Sequence, residues 1–143
     1  IQECLIKQMQ LGVFYKEYLA LLEGVLKDKK GTIDAPIARK QGSIIERCID
    51  LNGAKSVTHY EVLDTKNDLS IVKFVLETGR THQIRLHSKY IGNPILGDSL
   101  YGKKSNLISR QALHAYKISF IHPISKEKMN IEIELPEDMK KLI

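Results

Sequence analysis

The sequence lacks the features that mark several classes of protein. It has two cysteines, Cys4 and Cys48, and no C-x-x-C pair, so a disulfide framework is not indicated and reduced thiols are expected. No apolar run approaches the length of a membrane span, and the first residues lack the profile of a secretory signal peptide. Internal repeats and low-complexity tracts are absent too. These absences favour a cytoplasmic globular protein, which we expect to be a monomer.

Patterns for nucleotide cofactors and metals are also missing. The glycines between residues 79 and 102 fit neither the G-x-G-x-x-G dinucleotide pattern nor the P-loop. His82 and His87 are five apart on a predicted helix, about 140° around its axis, so they point to different sides. No carboxylate or cysteine stands beside them at ligand spacing. We therefore expect no cofactor and no metal.

The charge balance is mildly basic. With Lys+Arg 22 against Asp+Glu 17, the formal net charge is +5, and a hydrophobic content of 43% is ordinary for a globular protein. A chain of 143 residues is one domain by length. From Arg80 to Lys104 there are five basic residues and one acidic residue, so this window alone carries +4. Such an excess is compatible with a polyanionic partner.

Apolar patterning predicts a sheet of five strands. The predicted strands are Tyr15–Leu26, Lys55–Asp64, Leu69–Leu76, Leu113–Ile121 and Met129–Leu135. Thr32–Arg39 is expected to be an extended loop, and Ser43–Leu51 either a short helix or an irregular strand. Helices are predicted at Ile1–Met9 and Pro136–Ile143. Short turns join most of the strands, which predicts an α+β domain with a mainly antiparallel sheet and flanking helices.

The densest chemistry lies in the segment Glu77–Tyr101, ETGRTHQIRLHSKYIGNPILGDSLY. A glycine turn follows the apolar strand, and Thr81 is expected to cap a helix that ends near Gly92. Helical spacing places Ile84 and Ser88 on the side that faces the sheet, so Arg85 lies on a different face.

Arg80 and Arg85 would both lie near the start of this helix, where its dipole adds partial positive charge. Such a place suits a phosphate or a carboxylate. The alternative is that both arginines are solvated surface residues.

This segment resembles a family signature. T-G-R-T-H-Q-I-R-L-H followed by G-N-P-I-L-G-D-S-L-Y-G is similar to the motif of the RluA-type RNA pseudouridine synthases. Three weaker blocks agree in order, and together the blocks touch nearly the whole chain: Lys16–Gly24, Ala54–Leu63 and Ala112–Phe120. The resemblance implies a core with a largely antiparallel sheet and a cleft for structured RNA, ribosomal or transfer. It also implies isomerisation of a uridine that has left the base stack.

The resemblance implies roles for individual residues. Arg85 would pair with the catalytic aspartate, since a buried carboxylate needs a fixed cation to stay ionised. Tyr18 would stack on the uracil and its hydroxyl would serve in proton removal from carbon 5, while Leu113 lines the same pocket; without the motif, both would be interpreted as core residues. Arg80 would contact phosphate and His82 would position the substrate. The lysines expected to extend the RNA-binding surface are Lys89, Lys103 and Lys104.

One expected motif is absent. In RluA-type enzymes the catalytic aspartate lies in a motif resembling His-Arg-Leu-Asp, upstream of the block that Lys16–Gly24 matches, and no such motif occurs here. Asp98, in a Gly-Asp turn, matches a structural position of the family and is not assigned catalysis. We therefore expect residues 1–143 to be the C-terminal part of a catalytic domain, inactive by itself. The alternative is a remnant that binds structured RNA through Arg80, Arg85 and residues 89–104 without modifying it.

Overall fold

The structure is a computed structural model that describes residues 3–4, 7–8 and 15–143. Eight strands lie in this part of the chain: β1 (Tyr15–Glu23), β2 (Lys30–Asp34), β3 (Ile37–Arg39), β4 (Arg47–Ile49), β5 (Val57–Lys66), β6 (Leu69–Leu76), β7 (Leu113–Ile121) and β8 (Lys128–Glu132). Two helices with both ends defined lie there as well: α1 (Gln83–Tyr90) and α2 (Glu137–Lys140). Of the helix predicted at Ile1–Met9, residues 3, 4, 7 and 8 are helical, and the others lie outside the described residues.

Six strands form one antiparallel sheet in the order β2-β5-β6-β1-β7-β8, and β3 pairs with β4 in a separate two-stranded sheet. Strand β1 is interior and pairs with β6 on one side and β7 on the other. Its residues Leu19–Leu22 are at most 9% exposed, which is the two-sided burial that its continuous apolar run predicts. The predicted α+β class with a mainly antiparallel sheet is confirmed.

Helix α1 is held between two apolar clusters. Ile84 packs into the main core, which includes Phe74 and Ile95, both without exposed surface. Leu86 packs into a smaller cluster with Ile37 and Tyr101. Each fully buried side chain of this size contributes about 1.5–3 kcal/mol to folding. The helix is therefore fixed on two sides, and the face between them carries Arg85.

Two segments differ from their predictions. The prediction of an extended loop at Thr32–Arg39 is wrong, because β2 pairs with β5 and β3 pairs with β4. Ile33 is buried at 4% exposure and anchors β2 at the edge of the sheet. Pro36 lies between the two strands, where its missing N–H breaks no ladder hydrogen bond. For Ser43–Leu51, the strand alternative is right at Arg47–Ile49.

The cap predicted for α1 is also wrong. His82, not Thr81, is the N-cap residue, and it has left-handed backbone angles (φ 58°, ψ 22°) with no side-chain capping bond. The predicted end of the helix is confirmed, because Gly92 follows it with φ 89° and its N–H bonds to the carbonyl of Lys89. Among the described residues, no helix is long and apolar enough to cross a membrane.

Candidate active site

The turn between β6 and α1 is fixed by one buried amide. The Gln83 side chain is 2% exposed, and its Oε1 accepts hydrogen bonds from the Arg80 N–H at 3.0 Å and the Thr78 hydroxyl at 2.8 Å. Its Nε2 donates to the Val57 carbonyl at 3.0 Å and to the Thr58 hydroxyl at 2.9 Å. All four hydrogen-bonding positions of the amide are used. The turn that carries Arg80 and His82 is thus tied to β5.

A buried histidine continues this network. His87 has no exposed surface, and its Nε2 donates to the Ala35 carbonyl at 2.9 Å. The Thr58 hydroxyl, 2.8 Å from Nδ1, donates to this second ring nitrogen. Burial lowers the pKa of His87, which keeps the ring neutral. His87 therefore links α1 to β5 and to the segment after β2, a structural role.

A cleft of about 250 Å³ opens between this turn and the central strands. Five of the residues predicted for the site line it: Tyr18, Arg80, His82, Arg85 and Leu113. The register of β1 and β7 explains part of this, because Ala20 lies opposite Leu113 and alternate residues of a strand share a face. The register between β1 and β7 also shifts at Glu17/Tyr18, and such a bulge changes the direction in which the side chains project. The structure therefore brings together residues from three separate elements.

Tyr18 contributes an aromatic surface to the cleft. Its ring is partly buried and packs against the main core. Burial raises the pKa of its hydroxyl, so the phenol is protonated at neutral pH. An aromatic face beside an apolar wall of Leu76, Ile84 and Leu113 suits a flat ligand.

Arg85 forms a two-pronged ion pair with Asp98. Its Nε donates to Oδ2 and its Nη2 to Oδ1, each at 2.8 Å, and Asp98 has no exposed surface. Burial opposes ionisation of Asp98, but hydrogen bonds from Arg85 and the Tyr101 N–H outweigh it and lower its pKa. The bond to Asp98 raises the pKa of Arg85. Asp98 uses two of the five guanidinium N–H groups, and Arg85 also lines the cleft.

The Arg85–Asp98 partnership was missed by the sequence interpretation, which placed Asp98 in a turn and gave it no partner. The Leu100 N–H bonds to Asp98 Oδ1 at 3.1 Å, so the turn itself is confirmed. A signal was present, because Asp98 is the one acidic residue between Arg80 and Lys104. A lone carboxylate among five cations is a natural partner for one of them.

His82 is oriented by Tyr101. The Tyr101 hydroxyl accepts the Arg47 backbone N–H at 2.8 Å and lies 2.8 Å from Nδ1 of His82. The hydroxyl keeps its own proton, which it donates to Nδ1 in the tautomer that carries the ring proton on Nε2. Burial lowers the pKa of His82, and the charges of Arg85 and Arg47 lower it further. His82 is thus a neutral N–H donor at the wall of the cleft.

The Arg80 side chain is exposed and is held by one hydrogen bond among the described residues. Its Nε donates to the Lys55 carbonyl at 3.0 Å, which leaves its terminal nitrogens to the solvent side of the cleft. A cation at this rim can meet an anion without losing a buried partner.

The three predicted lysines lie outside the cleft. Lys89 lines a neighbouring depression, and Lys103 lies 3.8 Å from Glu23 in an exposed ion pair. Glu23 is five residues after Tyr18 on β1, about 17 Å along the strand. Lys104 is exposed beside Lys103. The part of Lys103 and Lys104 in RNA binding stays a prediction.

Within residues 3–4, 7–8 and 15–143, no three His, Cys, Asp or Glu side chains group in a way that could hold a metal ion. The lining of the cleft is instead two arginines, a histidine, two amides, a tyrosine and aliphatic side chains. Such a set is chemically suited to an anion beside a flat ring.

The chain matches known proteins along most of its length. An uncharacterized RNA pseudouridine synthase, YjbO of Bacillus subtilis, is 48% identical over 132 residues, covering 92% of this chain and 47% of that protein. Ribosomal large subunit pseudouridine synthase D of Zymomonas mobilis is 38% identical over 138 residues, covering 89% of this chain and 43% of that protein. The chain therefore spans about half the length of the curated relatives it matches.

A solved structure agrees with these relatives. Human RNA pseudouridylate synthase domain containing 1 superposes with a TM-score of 0.77 at 27% identity, covering 92% of this chain and 59% of that one. The family described as RNA pseudouridylate synthase matches residues 1–90, which include Tyr18, Arg80, His82 and Arg85. The resemblance seen in the motifs is confirmed, and the chain belongs to the RNA pseudouridylate synthase family.

Proposed function

We propose that residues 1–143 form the C-terminal part of a catalytic domain that isomerises uridine to pseudouridine in structured RNA, ribosomal or transfer. One observation carries the proposal: Tyr18, Arg85 and Leu113 come from a strand, a helix and a second strand and line one cleft of about 250 Å³. The lengths of the relatives support the proposal that a further part of the domain exists, since the chain covers 47% of YjbO.

In this proposal the uridine leaves its stack and enters the cleft. The Tyr18 ring stacks on the uracil, a contact worth about 1–3 kcal/mol per base. Leu113 and Ile84 pack against its edges, while Arg80 at the rim takes a phosphate. The Nε2–H of His82 donates a hydrogen bond to the nucleotide.

The reaction breaks the bond between the sugar and nitrogen 1 and joins the sugar to carbon 5. Nitrogen 1 gains a proton and carbon 5 loses one. Because burial raises the pKa of Tyr18, its hydroxyl is protonated and takes the proton from carbon 5 only as it releases its own, which solvent carries to nitrogen 1. Arg85 has N–H groups beyond those bound to Asp98, and these would hold the catalytic aspartate of the complete domain ionised.

A second candidate function is RNA binding without modification. The observation in its favour is that none of the described residues lining the cleft carries a carboxylate, and the nearby Asp98 is saturated by Arg85 and backbone N–H groups. The residues described here would then bind RNA and leave it unchanged. In both cases we propose a cytoplasmic monomer, in keeping with the two free cysteines.

The test is an assay on RNA that carries tritium at carbon 5 of uridine. The full-length native protein is expected to release tritium. Residues 1–143 alone are expected to release none. If the full-length protein binds RNA and releases no tritium, the second function replaces the first.

A further inference from the structure

A second depression adjoins the active-site cleft on the other side of Tyr101. It has a volume of about 230 Å³, and its apolar floor includes Cys48, Ile49 and the buried Leu86. At its rim stands Tyr90, the last residue of α1, which leaves 58% of its surface exposed. An exposed aromatic ring over an apolar floor is the arrangement on which a nucleobase stacks.

The charges around this depression favour an anion. Three cations line it, Lys40, Arg47 and Lys89, against one carboxylate, Glu46, which pairs with Lys40 at 2.6 Å, so a positive excess remains at Arg47 and Lys89. The Nη1 atom of Arg47 is buried and has no hydrogen-bond partner within the described structure. A buried guanidinium N–H without an acceptor is costly, so a rearrangement of the Arg47 side chain that brings this N–H to a phosphate is favoured.

Tyr101 connects the two sites. Its ring lies 5.2 Å from the Arg85 guanidinium carbon and 6.0 Å from the Lys89 ammonium, so cations of both sites contact one ring. Its hydroxyl bonds to the backbone of Arg47 and to His82. Along α1, His82 and Lys89 are seven residues apart, about 10 Å. A short single strand can bridge this distance.

We propose that this depression is a second nucleotide subsite, in which the base of a nucleotide near the modified uridine stacks on Tyr90 while Arg47 and Lys89 hold its phosphate. This inference rests on the proposed function, because it assumes RNA in the cleft. It assigns to Tyr90 and Arg47 roles that neither the motif nor the predicted site included. It also explains why Lys89 lies outside the cleft.

The test is the affinity of residues 1–143 for a fluorescein-labelled oligouridylate, measured by anisotropy. Tyr90→Ala is expected to weaken binding roughly five- to 100-fold, the range that the loss of one base stack gives. Tyr90→Phe keeps the ring and is expected to bind within about two-fold of the wild type. The matched control is Tyr116→Ala, a tyrosine truncation at a depression that shares no lining residue with the proposed subsite.

The salt dependence tests the phosphate contact. Arg47→Ala is expected to reduce the slope of log affinity against log salt by about 0.7, the value for one phosphate of a single strand. Lys89→Ala, at an exposed position, gives the same readout without disturbing the β3–β4 hairpin.

The outcomes separate the inference from the function. If the wild type binds and Tyr90→Ala binds equally well, the subsite is overturned and the function stands. If the wild type fails to bind oligouridylate at low salt, the subsite is overturned, and tritium release by the full-length protein decides the function separately.

Discussion

Arg85 and Asp98 meet through two hydrogen bonds of 2.8 Å across the base of the cleft, and the carboxylate has no exposed surface. The pair does two things at once. It closes the turn that leads to Tyr101, through the Leu100 and Tyr101 N–H groups, and it fixes the guanidinium beside Tyr18 and Leu113. The geometry of the cleft therefore depends on a residue that does not line it.

The first prediction concerns the stability that this pair contributes. Asp98→Asn leaves the buried Arg85 charge uncompensated and is expected to lower the free energy of unfolding by about 3–5 kcal/mol. The matched control is Asp138→Asn, because Asp138 forms the same two-pronged contact with Arg110 where both side chains are more than a third exposed. That change is expected to cost about 1 kcal/mol or less. Urea unfolding measures both, and equal losses would contradict the assignment.

The second prediction concerns the stability of the fold at acid pH. The pKa of Asp98 is lowered in the folded state from its ordinary value of 3.8, so below that value the unfolded chain binds more protons than the folded chain. The contribution is complete above the ordinary pKa and is lost as the pH falls through the folded pKa. The stability difference between wild type and Asp98→Asn should therefore shrink from about pH 5 to pH 2. A difference that is constant over this range would show that folding does not lower the pKa of Asp98.

The third prediction concerns His82. Its pKa is lowered from 6.5 by burial and by Arg85 and Arg47, and its Nδ1 lies 2.8 Å from the Tyr101 hydroxyl. Nitrogen NMR of the ring should show titration below 6.5 and a proton on Nε2 in the neutral form. In Tyr101→Phe the tautomer preference should weaken, because Nδ1 loses its donor. Titration above 6.5, or a proton on Nδ1, would contradict this orientation.

The fourth prediction concerns the turn that presents Asp98. Gly97 has φ 79°, and a Cβ there would clash with the Arg110 carbonyl and lie 2.8 Å from Ile108. Gly92 has φ 89° with open space around it, so it serves as the control. Gly92→Ala should cost about 1–2 kcal/mol for the left-handed backbone, and Gly97→Ala clearly more. If the unfolding curves of the two variants coincide, glycine at position 97 is not required for the close approach to the Arg110 carbonyl.

The fifth prediction separates the two roles of Tyr18. Tyr18→Phe keeps the ring and should retain RNA affinity within about two-fold, while turnover by the full-length protein falls sharply for lack of the hydroxyl. Tyr18→Ala should lose both. Anisotropy and tritium release measure the two quantities separately. Normal turnover in Tyr18→Phe would assign the carbon 5 proton to another group.

Much of the sheet could be predicted, because its signals are local. Leu69–Leu76 and Leu113–Ile121 have the bounds expected from their apolar patterns. Strand β2 was missed because Lys, Gly and Asp are uncommon in strands and Ile33 is its one buried side chain. Its pairing with β5 also joins residues that are far apart in the sequence.

The site was predicted in part, and the reason is similar. Five residues that line the cleft follow from the family motif. The contact between His82 and Tyr101 joins residues 19 positions apart, and no local pattern reports it. The partner of Arg85 lies 13 positions away and is indicated only by the lone carboxylate in a basic window. The left-handed cap at His82 was missed because the Gln83 amide, not a Thr81 hydroxyl, holds the turn.

The most direct measurement is tritium release by the full-length protein carrying Arg85→Lys, which keeps the charge and removes the two-pronged geometry. If Arg85 fixes the reacting groups in the cleft, turnover should fall at least about 100-fold while RNA affinity changes little. Residues 1–143 with the same substitution should still unfold cooperatively, which shows that the fold survives. Normal tritium release by Arg85→Lys would contradict the claim that this arginine organises the active site.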